Sequence, residues 1–222
     1  MSMFDGADFT DVAVVWLYSS NVRGVDGSKW NTDAVVVSSS DRRRICWADY
    51  HCGVILCNDA SAPDAELGLA FVRLPGIETW RGNHRRPYVY RTVSVTRSGE
   101  LKFVDVDDGR FRSTPRAGGG CRITSWTLRT PELEWEQDAA LRLEEALWAL
   151  PSYQDSPLPR IVPTYPVLSM QDDNVVHFIV KGPESSDKCW MIVVDMKNKS
   201  LGPYMMYKNL VELDCDGENL SN

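Results

Sequence analysis

The stretch Tyr88-Val-Tyr-Arg-Thr-Val-Ser-Val-Thr-Arg-Ser-Gly-Glu-Leu-Lys-Phe-Val-Asp-Val106 decides the reading of the fold. Tyr88, Tyr90 and Thr92 alternate along an extended chain, and Leu101 and Phe103 resume the alternation after Ser98-Gly99. A period of two interrupted by a short polar turn is the mark of an antiparallel hairpin, not of a helix. The expected strands are Tyr88–Arg97 and Leu101–Val106.

Working outward, the same kind of run recurs, rich in Val, Ile, Trp and Tyr and bounded by Gly, Asp, Asn, Ser or Pro. It predicts strands at Val12–Tyr18, Ala34–Ser38, Arg43–Tyr50, Gly53–Cys57 and Leu69–Leu74, then Cys121–Arg129, Val175–Val180, Cys189–Met196 and Leu201–Tyr207, with Lys208–Leu213 as a further candidate. Lys197-Asn198-Lys199 signals a second hairpin. A weak repeat runs through the set: a strand with a central Phe precedes a strand carrying Trp, in Phe103 before Trp126 and in Phe178 before Trp190. A third instance sets Val35-Val36-Val37 before Trp47. About a dozen strands in such units make three small antiparallel sheets, arranged like part of a β-propeller. One segment departs from the pattern. Asp138–Leu150 spaces Leu141, Leu147 and Trp148 as an amphipathic helix does, and Pro151 is expected to stop it. The fold class is therefore mainly β, consecutive antiparallel sheets, partly propeller-like, with one inserted amphipathic helix. The proline-rich run Pro151–Pro166 reads as a connection between sheets, and the loops 107–120 and 182–188 read as mobile joins.

The 222 residues, 43% hydrophobic and 25% charged, are enough for a sizeable core. No apolar run approaches the ~20 residues of a membrane span. The net charge of -7 argues against a surface adapted as a whole to nucleic acid. Basic and acidic residues balance over positions 1–120, so the acidic excess falls in positions 121–222. Three aspartates within the first 20 residues stand where a signal peptide carries positive charge, which predicts a reducing compartment, cytoplasmic or nuclear, and free thiols for all six cysteines.

Several constellations carry potential chemistry. Cys46, His51, Cys52 and Cys57 fall within twelve residues and are of the ligand types zinc takes, but no Cys-x-x-Cys pair exists and the thiols alternate through a hairpin, so no metal is expected. Asp105, Asp107, Asp108 and Gly109 lack the later Glu of a calcium loop and read as a solvated turn. No Gly-x-Ser-x-Gly elbow accompanies the three histidines, and Gly118–Gly120 is not followed by Lys-Ser or Lys-Thr, so neither an activated nucleophile nor a phosphate loop is indicated and no cofactor is implied. Arg81, His84, Arg85, Arg86 and Arg91 form the most basic segment, with no acidic residue between Glu78 and Glu100. These five are the candidate partner-binding residues, suited to an acidic protein surface or to carboxylates of the chain itself.

Arg44-Ile-Cys-Trp-Ala-Asp-Tyr-His-Cys-Gly-Val-Ile-Leu-Cys-Asn58 resembles a plant, chiefly grass, family known as the domain of unknown function 1618. The order of later motifs agrees: Phe71-Val-Arg-Leu-Pro75, Tyr90–Val95, Leu101–Val104, Thr124-Ser-Trp-Thr-Leu128, Tyr165–Ser169 and Trp190–Met196. The resemblance covers residues 30 to 210 and implies an F-box-associated, propeller-like domain with no assigned activity. The Leu-Pro-x-x-Leu start of an F-box is not found in the first thirty residues. The expected organisation is an N-terminal lead at 1–29, a β-rich domain at 30–214 and a flexible tail at 215–222. The expected function is a non-enzymatic protein-interaction scaffold. The alternatives are a metal-assisted hydrolase using the Cys46–Cys57 cluster and a nucleic-acid binder using the Arg-rich segment.

Overall fold

The computed structural model describes residues 30–38, 44–58, 68–77, 86–109, 119–183 and 188–208. Twelve strands make three four-stranded antiparallel sheets, each a simple meander in chain order. Sheet A holds β1 (Ala34–Ser38), β2 (Arg44–Asp49), β3 (Gly53–Asn58) and β4 (Gly68–Arg73). Sheet B holds β5 (Arg91–Val95), β6 (Leu101–Asp107), β7 (Arg122–Arg129) and β8 (Glu134–Arg142). Sheet C holds β9 (Thr164–Leu168), β10 (Val175–Lys181), β11 (Lys188–Asp195) and β12 (Ser200–Lys208). The first strands lie side by side, β1 against β5 and β5 against β9. Among the described residues no sheet closes into a barrel, and no helix is long and apolar enough to cross a membrane.

Sheet B is the middle layer, and β6 records this in its burial. Leu101 to Val106 are all buried, on both parities of the strand. Leu101 and Phe103 join Cys46, Ala48, Val54, Leu56 and Leu128 in one core, between sheets A and B. Val104 and Val106 join Ile123, Phe178, Trp190 and Ile192 in another, between sheets B and C. The outer sheets differ: β10 of sheet C alternates, with Val176, Phe178 and Val180 inward, whereas β3 of sheet A is buried at both parities from Gly53 to Cys57, with Ile55 packed among Trp30, Trp47, Leu69 and Phe71 on the face away from sheet B. A sheet covered on both faces has apolar residues at both parities; a half-covered one alternates.

Both hairpins stand where the turn residues put them, with Gly99 at φ 84 between β5 and β6 and Lys199 at φ 50 between β11 and β12. The helix expected over Asp138–Leu150 does not form. Residues to Arg142 extend as β8 and pair along β7, because Leu141 and Leu143 are needed at strand spacing in the core between sheets B and C. The helical spacing survives only in one wide turn, Leu143–Leu147, which buries both its end leucines. Pro151 opens a one-turn helix, Pro151–Gln154, where its fixed φ suits the first helical position. β9 is a second strand missed in the sequence, hidden in the proline-rich run. It pairs on one side only, with β10, so Pro166 disturbs no ladder. The strand expected at Val12–Tyr18, all but the first residue of the candidate Lys208–Leu213, and the segments 1–29 and 215–222 lie outside the described residues.

Candidate functional site

The Trp-Ala-Asp-Tyr-His-Cys-Gly hairpin turn, Trp47 to Gly53, is rich in polar groups, and its geometry assigns tasks to Asp49, Tyr50 and Gly53. Asp49, buried at the end of β2, accepts the backbone N–H of His51 at 2.8 Å and that of Asn31 at 3.0 Å. Asp33 accepts the N–H of Tyr50 at 2.7 Å. Burial pushes the Asp33 carboxyl up from its ordinary value, against the opposing effect of that Tyr50 bond. Gly53 is required for space: a Cβ there would sit 2.6 Å from the Val72 carbonyl oxygen and would collide with the Phe71 ring. Short carboxylates that capture turn N–H groups, and glycine at a close approach, are devices for fixing backbone.

The same turn is tied to sheet B. Arg91, at the start of β5, donates from Nη1 to the Tyr50 carbonyl at 2.6 Å and from Nε to Asp105 at 2.8 Å. Both members of the ion pair are buried, with side chains 5% and 6% exposed. The Tyr50 hydroxyl in turn accepts the Val93 N–H at 3.2 Å. On its opposite face β6 does the equivalent toward sheet C: buried Lys102 donates to the Asp173 carbonyl at 2.5 Å and lies 3.4 Å from the Asp138 carboxylate. Thr127 also donates to Asp138. Asp105 and Lys102, one charge per face of β6, thus connect the middle sheet to its two neighbours.

Of the candidate partner-binding residues, Arg91 is therefore turned inward and paired with Asp105. Arg86 is half-buried ahead of the short turn Pro87–Val89, and Arg81, His84 and Arg85 lie outside the described residues. The cysteines do not converge. Cys46 lies in the core between sheets A and B, Cys52 sits in the turn, and Cys57 pairs across from Ile45 on the outer parity of β3. Among the described residues no three His, Cys, Asp or Glu side chains are grouped to hold a metal ion. Burial pushes the Cys46 thiol up to about 12, and burial with the adjacent Asp49 charge raises Cys52 further. A thiol so raised is protonated at neutral pH and a poor nucleophile. Cys46 is accordingly expected to stay unmodified by iodoacetamide at pH 8 in the folded protein and to react once guanidinium unfolds it. Mass spectrometry reads this directly, and equal labelling in both states overturns the assignment.

What sequence reasoning missed is on the surface of the end layers. In sheet C the residues that face away from sheet B form four rows across the strands: Val175 with Asp195 and Ser200; Val167 with His177 and Val193; Thr164 with Ile179, Met191 and Met205; Lys181 with Cys189 and Tyr207. Val167 is 59% exposed, Met205 56% and Tyr207 40%. An antiparallel sheet facing water ordinarily turns polar residues outward; here Asp195, Ser200 and Lys181 do so at the ends of the face, while Val167, Val193, Ile179, Met191 and Met205 occupy its middle. The signal was present in the strand Val175-Val-His-Phe-Ile-Val180, which has Val and Ile at both parities. The outward parity of β1 on sheet A is likewise open, with Val35 39% and Val37 59% exposed.

A family described as a protein of unknown function, DUF1618, matches residues 47–177, more than half of the chain. The match begins at Trp47 of the turn and ends at His177 of β10. No curated protein and no solved structure matches the chain.

Proposed function

The chain belongs to the DUF1618 family, and from that premise we propose that it is a non-enzymatic protein-interaction scaffold, three blades of a partial β-propeller that dock a protein partner on the outer face of sheet C. The observation that carries this reading is the apolar stretch on the outward face of sheet C, with Val167, Met205 and Tyr207 exposed and half-buried Ile179, Met191 and Val193 beside them, on a sheet whose other face packs β10 and β11 into the core shared with sheet B. Contiguous exposed apolar surface of this kind marks interaction sites in soluble proteins. The propeller reading draws support from the meander order of the sheets and from the side-by-side placement of their first strands, the strands that surround a propeller's axis. The buried ionisable groups support the non-enzymatic reading, since Asp33, Asp49, Arg91 and Asp105 hold backbone or each other. On the family resemblance we set the protein in the plant cytosol or nucleus, in the company of F-box proteins.

Peroxide footprinting of the dilute protein tests the face. Met205 is expected to oxidise within about three-fold of the rate of Met170, which is 74% exposed, while buried Met196 lags by at least about ten-fold. Protection of Met205 equal to that of Met196 would remove the docking face.

A further inference from the structure

We propose that the last strand of sheet C, β12, is a pairing edge occupied by a second copy of the chain: two β12 strands pair antiparallel across a two-fold axis at Met206 and join two sheets C into one sheet of eight strands. The inference stands on the edge of the sheet, not on its outer face, and so does not depend on the docking reading above. Each sheet ends in a strand, β4, β8 or β12, that is paired on one side only among the described residues. Such an edge presents unpaired backbone N–H and C=O groups, and proteins guard it with charges, proline or bulges. β8 sets exposed Glu134 and Glu136 along its edge, and β4 keeps Leu69, Ala70, Phe71 and Val72 half-buried or buried. β12 is guarded only in its first half, where Gly202 and Pro203 together stand opposite Val193 in a bulge. Beyond the bulge Tyr204, Met205, Met206 and Tyr207 are four successive exposed residues with no charge among them. They occupy both parities: Met205 and Tyr207 continue the outward rows of Met191 and Cys189, while Tyr204 and Met206 continue the inward rows of Ile192 and Trp190. The exposure therefore belongs to the strand's position at the edge and not to one face of the sheet.

Symmetry fixes the register. A two-fold axis normal to the sheet sets β12 antiparallel to its copy and keeps each face on its own side, so opposed residues share a parity and the axis passes through a residue. Within residues 204–208, the part of β12 beyond the bulge, an axis at Met206 pairs all five positions, whereas any other choice pairs three at most. That register sets Met206 opposite its own copy and Met205 opposite Tyr207 on both sides of the axis, where each thioether meets an aromatic ring. The segment is thus complementary to itself, as a contact between identical patches requires. Association stops at two copies, because the other edge of sheet C, β9, lies against β5 inside the chain. Five backbone positions and four side chains from each copy make an interface below ~1,200 Å², the size of weak specific contacts, so the expected midpoint is on the order of tens of micromolar. The axis also leaves the outer faces of the two sheets C on the same side, so the dimer presents that face twice.

Sedimentation velocity on the full chain from ~1 to ~300 μM, a range that brackets a weak dimer, is the test. The wild type is expected to pass from monomer to a discrete dimer. Met206→Lys and Met206→Glu each set like charges opposite one another on the axis, and each alone is expected to weaken association at least about five-fold. In an equimolar mixture Lys meets Glu, and a heterodimer is expected to return at the wild-type midpoint or below it. A misfolded variant cannot give that recovery. Met205→Glu, whose new charge faces Tyr207 and not itself, is expected to weaken association less than either Met206 variant. A wild type that is monomeric at ~300 μM overturns the proposal, as does an open-ended series of oligomers, since edge pairing of this kind closes at two. A mixture that stays monomeric also overturns it, because Met206 then does not meet its own copy. So does a dimer dissociated by Met205→Glu and indifferent to both Met206 variants, which is the mark of outer face packed on outer face. Peroxide footprinting is read on the dilute monomer, so the docking face and the pairing edge fail separately.

Discussion

Arg91→Met is expected to cost about 3–5 kcal/mol of folding stability, the usual loss when one partner of a buried ion pair is removed. The loss has two sources. Asp105 loses its buried guanidinium partner between sheets A and B, and the Tyr50 carbonyl loses the donor that ties the sheet A turn to sheet B. Adding Asp105→Leu is expected to restore most of the stability, because an apolar pair of suitable volume needs no solvation. Arg91→Lys should fall between, since one ammonium cannot reproduce the fork that serves Asp105 and Tyr50 together. Urea unfolding reads all three, and an unchanged denaturant slope will show that the shift in midpoint reports stability. A loss below about 1 kcal/mol for Arg91→Met, with Asp105 unchanged, would mean that the pair is solvated and does not join the sheets.

This prediction also shows where sequence reasoning stopped. The strands and turns of the first sheet and of both hairpins were readable because Gly, Asn and Ser turns and a period of two are local properties. Arg91 reads from the sequence as a partner-binding candidate, for an acidic surface or for carboxylates of the chain itself, and Asp105 as part of a solvated turn, because a charged residue in an alternating strand normally faces water. The assumption fails for sheet B, whose two faces are both covered, and Leu101-Lys-Phe-Val-Asp-Val106 already carries the sign of it. Leu101 and Phe103 occupy one parity while Val104 and Val106 occupy the other, so no face was left to be the wet one. The helix expected from Asp138 failed for a related reason. Ala139, Leu141 and Leu143 satisfy a period of two as well as Leu143 and Leu147 satisfy a helical one, and pairing with β7 decided between them. The apolar outward face of sheet C is legible in one strand, Val175–Val180, which has Val and Ile at both parities.

The truncation of Trp190 to Ala carries the other large effect, about 3–5 kcal/mol, as for large aromatic deletions in packed cores. Trp190 is 5% exposed in the core between sheets B and C. The repeat in the sequence set Trp47, Trp126 and Trp190 at equivalent positions, and the structure ranks them. Trp126 and Trp190 do share the third strand of their sheets and the face toward the preceding sheet, yet their pairing differs: Trp126 is opposite Phe103 and stacks on it at 5.2 Å, whereas Trp190 is opposite Val180. Trp47 is on the second strand of sheet A, on the outer face, where it is half-buried and packs with Trp30, Leu69 and Phe71 around Ile55. The expected order of loss is therefore Trp190, then Trp126, then Trp47. A control sharpens the test, because the buried Trp190 indole N–H has no hydrogen-bond partner among the described residues. Trp190→Phe removes that unsatisfied donor while keeping most of the ring, so it should lose far less than the alanine variant. Equal losses for Trp47→Ala and Trp190→Ala in urea unfolding would mean that the outer face of sheet A is as deeply packed in the monomer as the core between sheets B and C.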